Sequence, residues 1–66
     1  MQLTVNGRPQ EIPAPATVKD LLHHIGFGER PVVVELNQEA LLPREHATRQ
    51  LQAGDKLEVV QITAGG

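Results

Sequence analysis

The run from Leu57 to Ile62 constrains the fold more than any other stretch of the sequence. It is rich in residues that favour β-strands, and alternate side chains of a strand point to opposite faces of a sheet. Leu57 and Val59 therefore share one face, while Val60 and Ile62 share the other. Apolar residues on both faces are typical of a central strand that a helix covers on one side. We predict that this strand lies in the middle of a small sheet.

The side of that sheet away from the helix is predicted to carry an exposed apolar patch. Val60 and Ile62 would face outward from the last strand, and Val33 would face outward from a neighbouring strand. Contiguous apolar patches of this kind often mark binding surfaces. Scattered surface valines, which are common, are the alternative explanation. We interpret Val33, Val60 and Ile62 as a candidate partner surface.

The amino-terminal stretch predicts a β-hairpin at the edge of the sheet. Leu3 and Val5 alternate with polar residues, and Asn6-Gly7 is a strong signal for a two-residue turn. The chain then returns through residues 8–12. Pro9 has no backbone donor, which places this second strand at an edge.

A single helix is predicted from Val18 to Ile25. Thr17 is its N-cap, and Asp20 three residues later comes close to a capping box. The apolar residues follow the spacing of one buried stripe, and Gly26 ends the helix. The predicted core combines this stripe with the inward residues of the strands: Leu3, Val5, Ile12, Val18, Leu21, Leu22, Ile25, Val34, Leu57 and Val59.

The segment between the helix and the last strand is predicted to contain one strand and an irregular connection. Residues 31–36 form the strand, and a turn with a short extended piece follows it. Residues 44–51 are polar and are expected to form a helical turn and a loop, with His46 and Leu51 among the possible anchors. One helix on a mixed sheet of four or five strands is an α+β fold.

The composition argues against a catalytic site on this chain. A single domain of 66 residues has little room for an enclosed pocket beside its core. The chain contains no Cys, Ser, Tyr or Trp, so few nucleophiles remain. His23 and His24 diverge by about 100° on a helix and do not suit one metal ion, and no nucleophile pairs with His46 in the sequence. We expect neither catalysis nor a metal site nor a bound cofactor.

The charge pattern argues against several classes of partner. The formal net charge is −2, and the charges alternate without a basic run or an aromatic platform, so we do not expect nucleic-acid binding. The amino end has no signal-peptide pattern, and no apolar stretch approaches the length of a membrane span. A chain without cysteine fits the cytoplasm, which is the predicted location.

The sequence ends in Ala64, Gly65 and Gly66, directly after the last strand. Residues 63–66 are expected to form a flexible tail, because chain ends are usually poorly ordered. A frayed end is one explanation of these residues. The other is that the carboxylate of Gly66 is the working group, which Ala64 and Gly65 thread into a partner's site, since glycine permits close approach of other backbone.

Several motifs resemble those of the ubiquitin-like sulfur carrier proteins of thiamine biosynthesis. The resemblance lies in Leu42-Pro43-Arg44-Glu45, the Gly54-Asp55 turn, the strand at 57–61 and the Ala64-Gly65-Gly66 end. The helix start at Thr17 and the chain length also match, so the resemblance covers residues 1–66 as a single domain. It implies the β-grasp fold, with the last strand beside the first.

The resemblance also implies a carrier that is a co-substrate of other enzymes and is not itself an enzyme. In that family an E1-like adenylyltransferase uses ATP and Mg²⁺ to adenylate the terminal carboxylate, here that of Gly66. Sulfur from a donor enzyme of the cysteine desulfurase type then gives a thiocarboxylate, and thiazole synthase takes the sulfur.

Three alternatives share the fold. The small subunit of molybdopterin synthase also ends in Gly-Gly, but Pro43-Arg44, Gly54-Asp55 and the short chain favour the thiamine carrier. A ubiquitin-like modifier would form amide bonds to lysines, and only Lys19 and Lys56 are present to support polymeric chains. A passive interaction module with an incidental tail is the third, because one fold hosts many functions.

Overall fold

The structure, a computed structural model, describes residues 1–63. Its elements in chain order are β1 (Gln2–Val5), β2 (Arg8–Glu11), α1 (Val18–His24), β3 (Val32–Leu36), β4 (Glu39–Ala40), a 3₁₀ turn (Pro43–Glu45) and β5 (Lys56–Gln61). The strands form one five-stranded mixed sheet in the order β2-β1-β5-β3-β4, and α1 packs on one face of it through the shared core. The α+β fold predicted from the sequence is therefore confirmed.

Strand β5 lies in the middle of the sheet, as predicted. It runs parallel to β1, with Val5 opposite Leu57, and antiparallel to β3, with Val34 opposite Val59. Leu57 and Val59 are buried on the side that faces α1. The other side of the strand is exposed, and the whole sheet face away from α1 is called the outer face below.

The amino-terminal hairpin turns at Asn6 and Gly7, whose φ angles are 52° and 79°. Asparagine and glycine tolerate this left-handed region, which two-residue hairpin turns require. Strand β2, which contains Pro9, occupies one edge of the sheet. The prediction that proline would place this strand at an edge is confirmed.

Helix α1 begins with a complete capping box. The Asp20 N–H donates to Thr17 Oγ1 at 3.1 Å, and the Thr17 N–H donates to the Asp20 carboxylate at 2.9 Å. These two bonds satisfy donors that have no partner within the helix. The helix ends at His24, one residue before the predicted end, because Ile25 is its C-cap and Gly26 follows at φ 98°.

The irregular segment before β5 is joined to the start of α1. The N–H groups of Val18 and Lys19 donate to the carbonyls of Arg49 and His46 at 3.1 and 2.7 Å. Together with the capping box, these bonds pair the first donors of the helix. The predicted helical turn in this segment is the 3₁₀ turn, which lies one residue earlier than expected.

The core is one cluster of buried side chains between α1 and the sheet. Every residue predicted for it is buried except Ile25, which packs against the cluster partly buried, as does Phe27. Five further residues complete the core: Ala16, Val32, Leu36, Leu41 and Leu51. Among residues 1–63, no helix combines the length and apolar character of a membrane span.

Candidate functional site

Two valines face each other at the centre of the outer face. Val33 on β3 is the direct cross-strand partner of Val60 on β5. Their side chains are 47% and 61% exposed, and Ile62, just past the end of β5, is 50% exposed. The Ile62 N–H donates to the Pro31 carbonyl at 3.0 Å, which extends the pairing by one residue. Val33 and Val60 are thus exposed on the outer face, and Ile62 is exposed just past the end of β5.

Leu42 extends this patch, although the sequence analysis did not assign it there. Its side chain is 46% exposed. Glu35 pairs with Ala40, and the Leu41 N–H donates to the Val34 carbonyl at 2.9 Å, so the same register continues past β4. Continuing this register by one more residue places Leu42 opposite Val33. The exposed set, called the apolar row below, consists of Leu42, Val33, Val60 and Ile62.

The sequence feature that could have indicated an exposed Leu42 is the pair of adjacent leucines, Leu41 and Leu42. In an extended segment, neighbouring side chains point to opposite faces. Leu41 is buried in the core, and the backbone at Leu42 is extended, with φ −76° and ψ 149°. One leucine of the pair therefore had to face outward.

An acidic pair borders the apolar row. Glu35 on β3 lies directly opposite Glu58 on β5, and both side chains are exposed. Within residues 1–63, no lysine, arginine or histidine nitrogen lies within 4.0 Å of either carboxylate. Directly opposed like charges destabilise a sheet. This pair and Lys56 line a shallow groove beside the apolar row.

The base of the carboxy-terminal tail adjoins the apolar row. Thr63, the last residue described, is exposed, and Ile62 makes the last backbone hydrogen bond found among the described residues. Ala64, Gly65 and Gly66 lie outside the described residues, so the predicted flexibility of the tail and the predicted roles of these residues remain predictions. The apolar row is consequently the part of the predicted site that lies on the described surface.

A groove of about 370 Å³ lies beside Ile62, with Lys19, Arg30 and His46 among its lining residues. His46 Nε2 is buried and has no hydrogen-bond partner among residues 1–63. His46 as a whole is half-buried and lines the groove. Its assignment as a loop-packing residue stays a prediction.

The paired histidines of α1 do not form a metal site in the described part of the chain. His23 Nε2 lies 3.0 Å from a carboxylate oxygen of Glu29, and Lys19 Nζ lies 3.9 Å from the same oxygen. No group of three or more His, Cys, Asp or Glu side chains within residues 1–63 has the arrangement of a metal site. These contacts are a surface network around Glu29.

The pKa of the Asp20 carboxyl is lowered by its place in the helix cap. The backbone N–H of Thr17 donates to its carboxylate, and this bond is the main cause that holds the pKa of Asp20 below 3.8. The group belongs to the helix cap and lies away from the outer face.

Comparison with known proteins relates this fold to one family. The ThiS family matches residues 3–66. The sulfur carrier protein ThiS of Thermus thermophilus is 39% identical over 62 residues, which cover 94% of this chain and 95% of that protein. A thiazole synthase of Paramagnetospirillum magneticum is 38% identical over 66 residues, which cover 100% of this chain and 20% of that protein. The chain thus spans about a fifth of the length of that synthase.

A solved structure supports the same family assignment. The crystal structure of the thiamine biosynthesis protein ThiS from Geobacter metallireducens superposes with a TM-score of 0.82. The two sequences are 32% identical, and the match covers 100% of both chains. The one-helix, five-stranded mixed sheet is therefore a β-grasp fold. The chain belongs to the ThiS family.

Proposed function

We propose that this chain is a sulfur carrier for the formation of the thiazole ring of thiamine. The carboxylate of Gly66 is adenylated, converted to a thiocarboxylate and then consumed by thiazole synthase. The observation that carries the proposal is the match to the ThiS family, which extends over residues 3–66 and so includes the Gly65-Gly66 end. The relative of nearly equal length is named a sulfur carrier protein, which supports the same role.

The chemistry explains why such a carrier needs an activating partner. A carboxylate is a poor electrophile, because its oxygen is a poor leaving group. The Gly66 carboxylate oxygen attacks the α-phosphorus of ATP, and pyrophosphate leaves with the Mg²⁺ that the partner holds. A persulfide sulfur then attacks the acyl carbon, and AMP leaves. A thiol then attacks the donor's sulfur in the resulting acyl disulfide, so that the S–S bond breaks, the thiocarboxylate leaves and a new disulfide forms between the thiol and the donor.

The length of the tail fits delivery of this carboxylate to a buried site. Ile62 is bonded to the body of the fold through Pro31. The residues from 63 to 66 can span at most about 13–14 Å when extended, at roughly 3.3–3.6 Å per residue. A partner's active site could therefore lie this far below its surface while the β-grasp body stays outside. Glycines at the end allow the backbone to pass through a narrow channel.

The apolar row is the surface that we assign to the partners. Leu42, Val33, Val60 and Ile62 form an exposed apolar set at the base of the tail. A partner that covers this row would hold the body in a fixed position while the tail enters its site. The expected partners are an E1-like adenylyltransferase, thiazole synthase and a sulfur donor of the cysteine desulfurase type.

The relatives support thiazole synthase in particular. Two proteins named thiazole synthase, from Paramagnetospirillum magneticum and Magnetococcus marinus, contain a segment similar to the whole of this chain. That segment is 20% of each protein. A carrier-like domain and the rest of the synthase are thus joined in one chain in those organisms. We infer that the separate carrier and synthase also act together.

Mass spectrometry of the full chain tests the proposal. Incubation with the E1-like partner, ATP, Mg²⁺ and a sulfur donor should replace one oxygen by one sulfur at Gly66. The product should then lose that sulfur to thiazole synthase and return to its original mass. Transfer to the large subunit of molybdopterin synthase instead, or amide formation with a lysine of another protein, would assign the chain to one of the rival functions.

A further inference from the structure

The Asn6 side chain holds β5 beyond the end of its pairing with β1. The Asn6 N–H donates to the Leu57 carbonyl at 2.9 Å, and β1 has already ended at Val5. Two residues further along β5, the Val59 N–H donates to Asn6 Oδ1 at 2.8 Å, and Asn6 Nδ2 donates to the Val59 carbonyl at 3.0 Å. The side-chain amide of Asn6 thus bonds Val59 in the way that one more backbone residue of β1 would if that strand continued.

The same asparagine precedes a glycine, and this pair has an intrinsic chemical reactivity. Gly7 has no Cβ, so its backbone nitrogen can approach Asn6 Cγ closely. Attack forms the bond between that nitrogen and Cγ, the Cγ–Nδ2 bond breaks, and ammonia leaves with the proton of the Gly7 N–H. Water then opens the cyclic imide to aspartate or to isoaspartate, and no oxidant or enzyme is required.

The hydrogen bonds to Val59 oppose this reaction. Attack requires Asn6 Cγ to turn toward the Gly7 nitrogen, while both polar atoms of the amide are held on β5. Both residues are exposed, so water can reach the imide once it forms. We propose that Asn6-Gly7 is a latent deamidation site, which the Asn6–Val59 bonds keep unreactive in the folded protein, and that reaction there releases β5 from the hairpin.

The release follows from the products. An aspartate at position 6 has no amide donor for the Val59 carbonyl, and its negative charge faces that carbonyl oxygen. Isoaspartate also adds a methylene to the backbone of a turn in which Asn6 and Gly7 both have positive φ. Either product lacks the Nδ2 donor that bonds the Val59 carbonyl, and Val59 is adjacent to Val60 in the apolar row.

The first test compares rates of deamidation at pH 7.5 and 37 °C. The folded chain is incubated beside the same chain in guanidinium chloride and beside a synthetic peptide of residues 3–10. Peptide mapping by mass spectrometry should show ammonia loss at Asn6 at least about tenfold more slowly in the folded chain, since two hydrogen bonds must break first. Asn37, which precedes Gln38, is the internal control and should react slowly in every sample. Equal rates at Asn6 in the folded chain and the peptide would overturn the protective role.

The second test measures the consequence with Asn6→Asp. Hydrogen exchange of the Val59 amide should accelerate by about tenfold or more, because its acceptor is no longer held in place. Gln52→Glu makes the same change from amide to acid at an exposed side chain and should leave exchange at Val59 unaltered. Unchanged protection of Val59 in Asn6→Asp would overturn the proposed release of β5. Neither test measures sulfur transfer, so a failure of this proposal can be distinguished from a failure of the proposed function.

Discussion

Val33 and Val60 are direct cross-strand partners on the two neighbouring strands β3 and β5, and both point away from the helix. Contiguous exposed apolar area favours association, so this uncovered pair at the centre of the sheet is a candidate contact for a partner. The pair adjoins Ile62, where the tail leaves the body of the fold. The proposed partner surface therefore lies next to the last described residues before Ala64-Gly65-Gly66.

Changing Val60 to Glu should weaken binding to the E1-like partner about tenfold or more. The substitution places a charge where an apolar contact is expected, and a central interface residue typically contributes more than about 1 kcal/mol. The fold should be unaffected, because Val60 is exposed and surface changes usually alter stability by less than about 0.5 kcal/mol. Titration calorimetry with the purified partner measures the effect.

The matched control for that experiment is Thr48→Glu. Thr48 is exposed in the loop after the 3₁₀ turn, outside the apolar row, and the added charge is the same. Its affinity for the partner should equal that of the parent. If Val60→Glu also binds with parental affinity, the apolar row is not the surface that the E1-like partner covers.

Changing Glu58 to Gln should stabilise the free protein. Glu35 and Glu58 face each other without a cation within 4.0 Å in residues 1–63, and removal of one charge relieves their repulsion. The gain should be roughly 0.2–0.5 kcal/mol at low ionic strength and should disappear in 1 M salt, where the screening length is about 3 Å. Urea unfolding at the two salt concentrations measures it.

The control variant is Glu11→Gln, whose effect on stability should not have the sign expected for Glu58→Gln. Glu11 lies 3.0 Å from the amino-terminal ammonium of Met1, so its neutralisation removes an attraction. This variant should gain no stability at low salt. A Glu58→Gln variant that is no more stable than the parent at low salt would show that the acidic pair carries no repulsion.

The contribution of Asp20 to stability should decline in acid. Its pKa in the folded chain is held below the ordinary 3.8, mainly by the Thr17 N–H. A carboxyl whose folded pKa is lowered contributes its full stabilisation above 3.8 and loses it as the pH falls through the lower folded value. The difference in unfolding free energy between the parent and Asp20→Asn should therefore be constant near neutral pH and shrink below 3.8.

Thermal unfolding of both chains across this pH range checks the expectation. Gln10→Glu adds a carboxyl on β2, away from the helix cap, and controls for the general effect of charge. A difference between the parent and Asp20→Asn that persists unchanged in strong acid would mean that the ionised carboxylate does not stabilise the cap.

Sequence periodicity was sufficient for most of the fold. Alternation in β5 identified Leu57 and Val59 as buried and Glu58 and Val60 as exposed, and the Asn6-Gly7 turn fixed the hairpin, because these signals are local. The capping box at Thr17 likewise needed only residues three apart. These local patterns predict the fold well, because the core buries the same faces of the helix and strands that the patterns define.

Contacts that depend on register could not be predicted in the same way. The alternation places Glu35 and Glu58 on one face, but a shift by two residues would preserve that face and separate them. The bonds between Asn6 and Val59 join residues 53 apart, and no spacing rule connects a turn side chain to a distant strand backbone. Leu42 was missed because two adjacent leucines do not reveal which one faces inward.

The final prediction concerns the position of the Gly66 carboxylate. Deletion of Gly66 withdraws the chain end by one residue, about 3.5 Å, and a misplacement of even 1 Å can reduce a rate about a hundredfold. Adenylation by the E1-like partner, measured as ATP–pyrophosphate exchange, should therefore nearly vanish. Addition of one residue after Gly66 should have the same effect, since the reactive carbon is then no longer at the end of the chain.

Two comparisons separate this effect from loss of folding or binding. Both variants should unfold at the temperature of the parent, because the altered residues lie beyond Ile62, the last residue of the range 1–63 with a backbone bond to the body. Ala64→Gly keeps the length and should be adenylated at a rate within a few-fold of the parent. If the shortened or the lengthened chain is adenylated as fast as the parent, the carboxylate of Gly66 is not the group on which the partner acts.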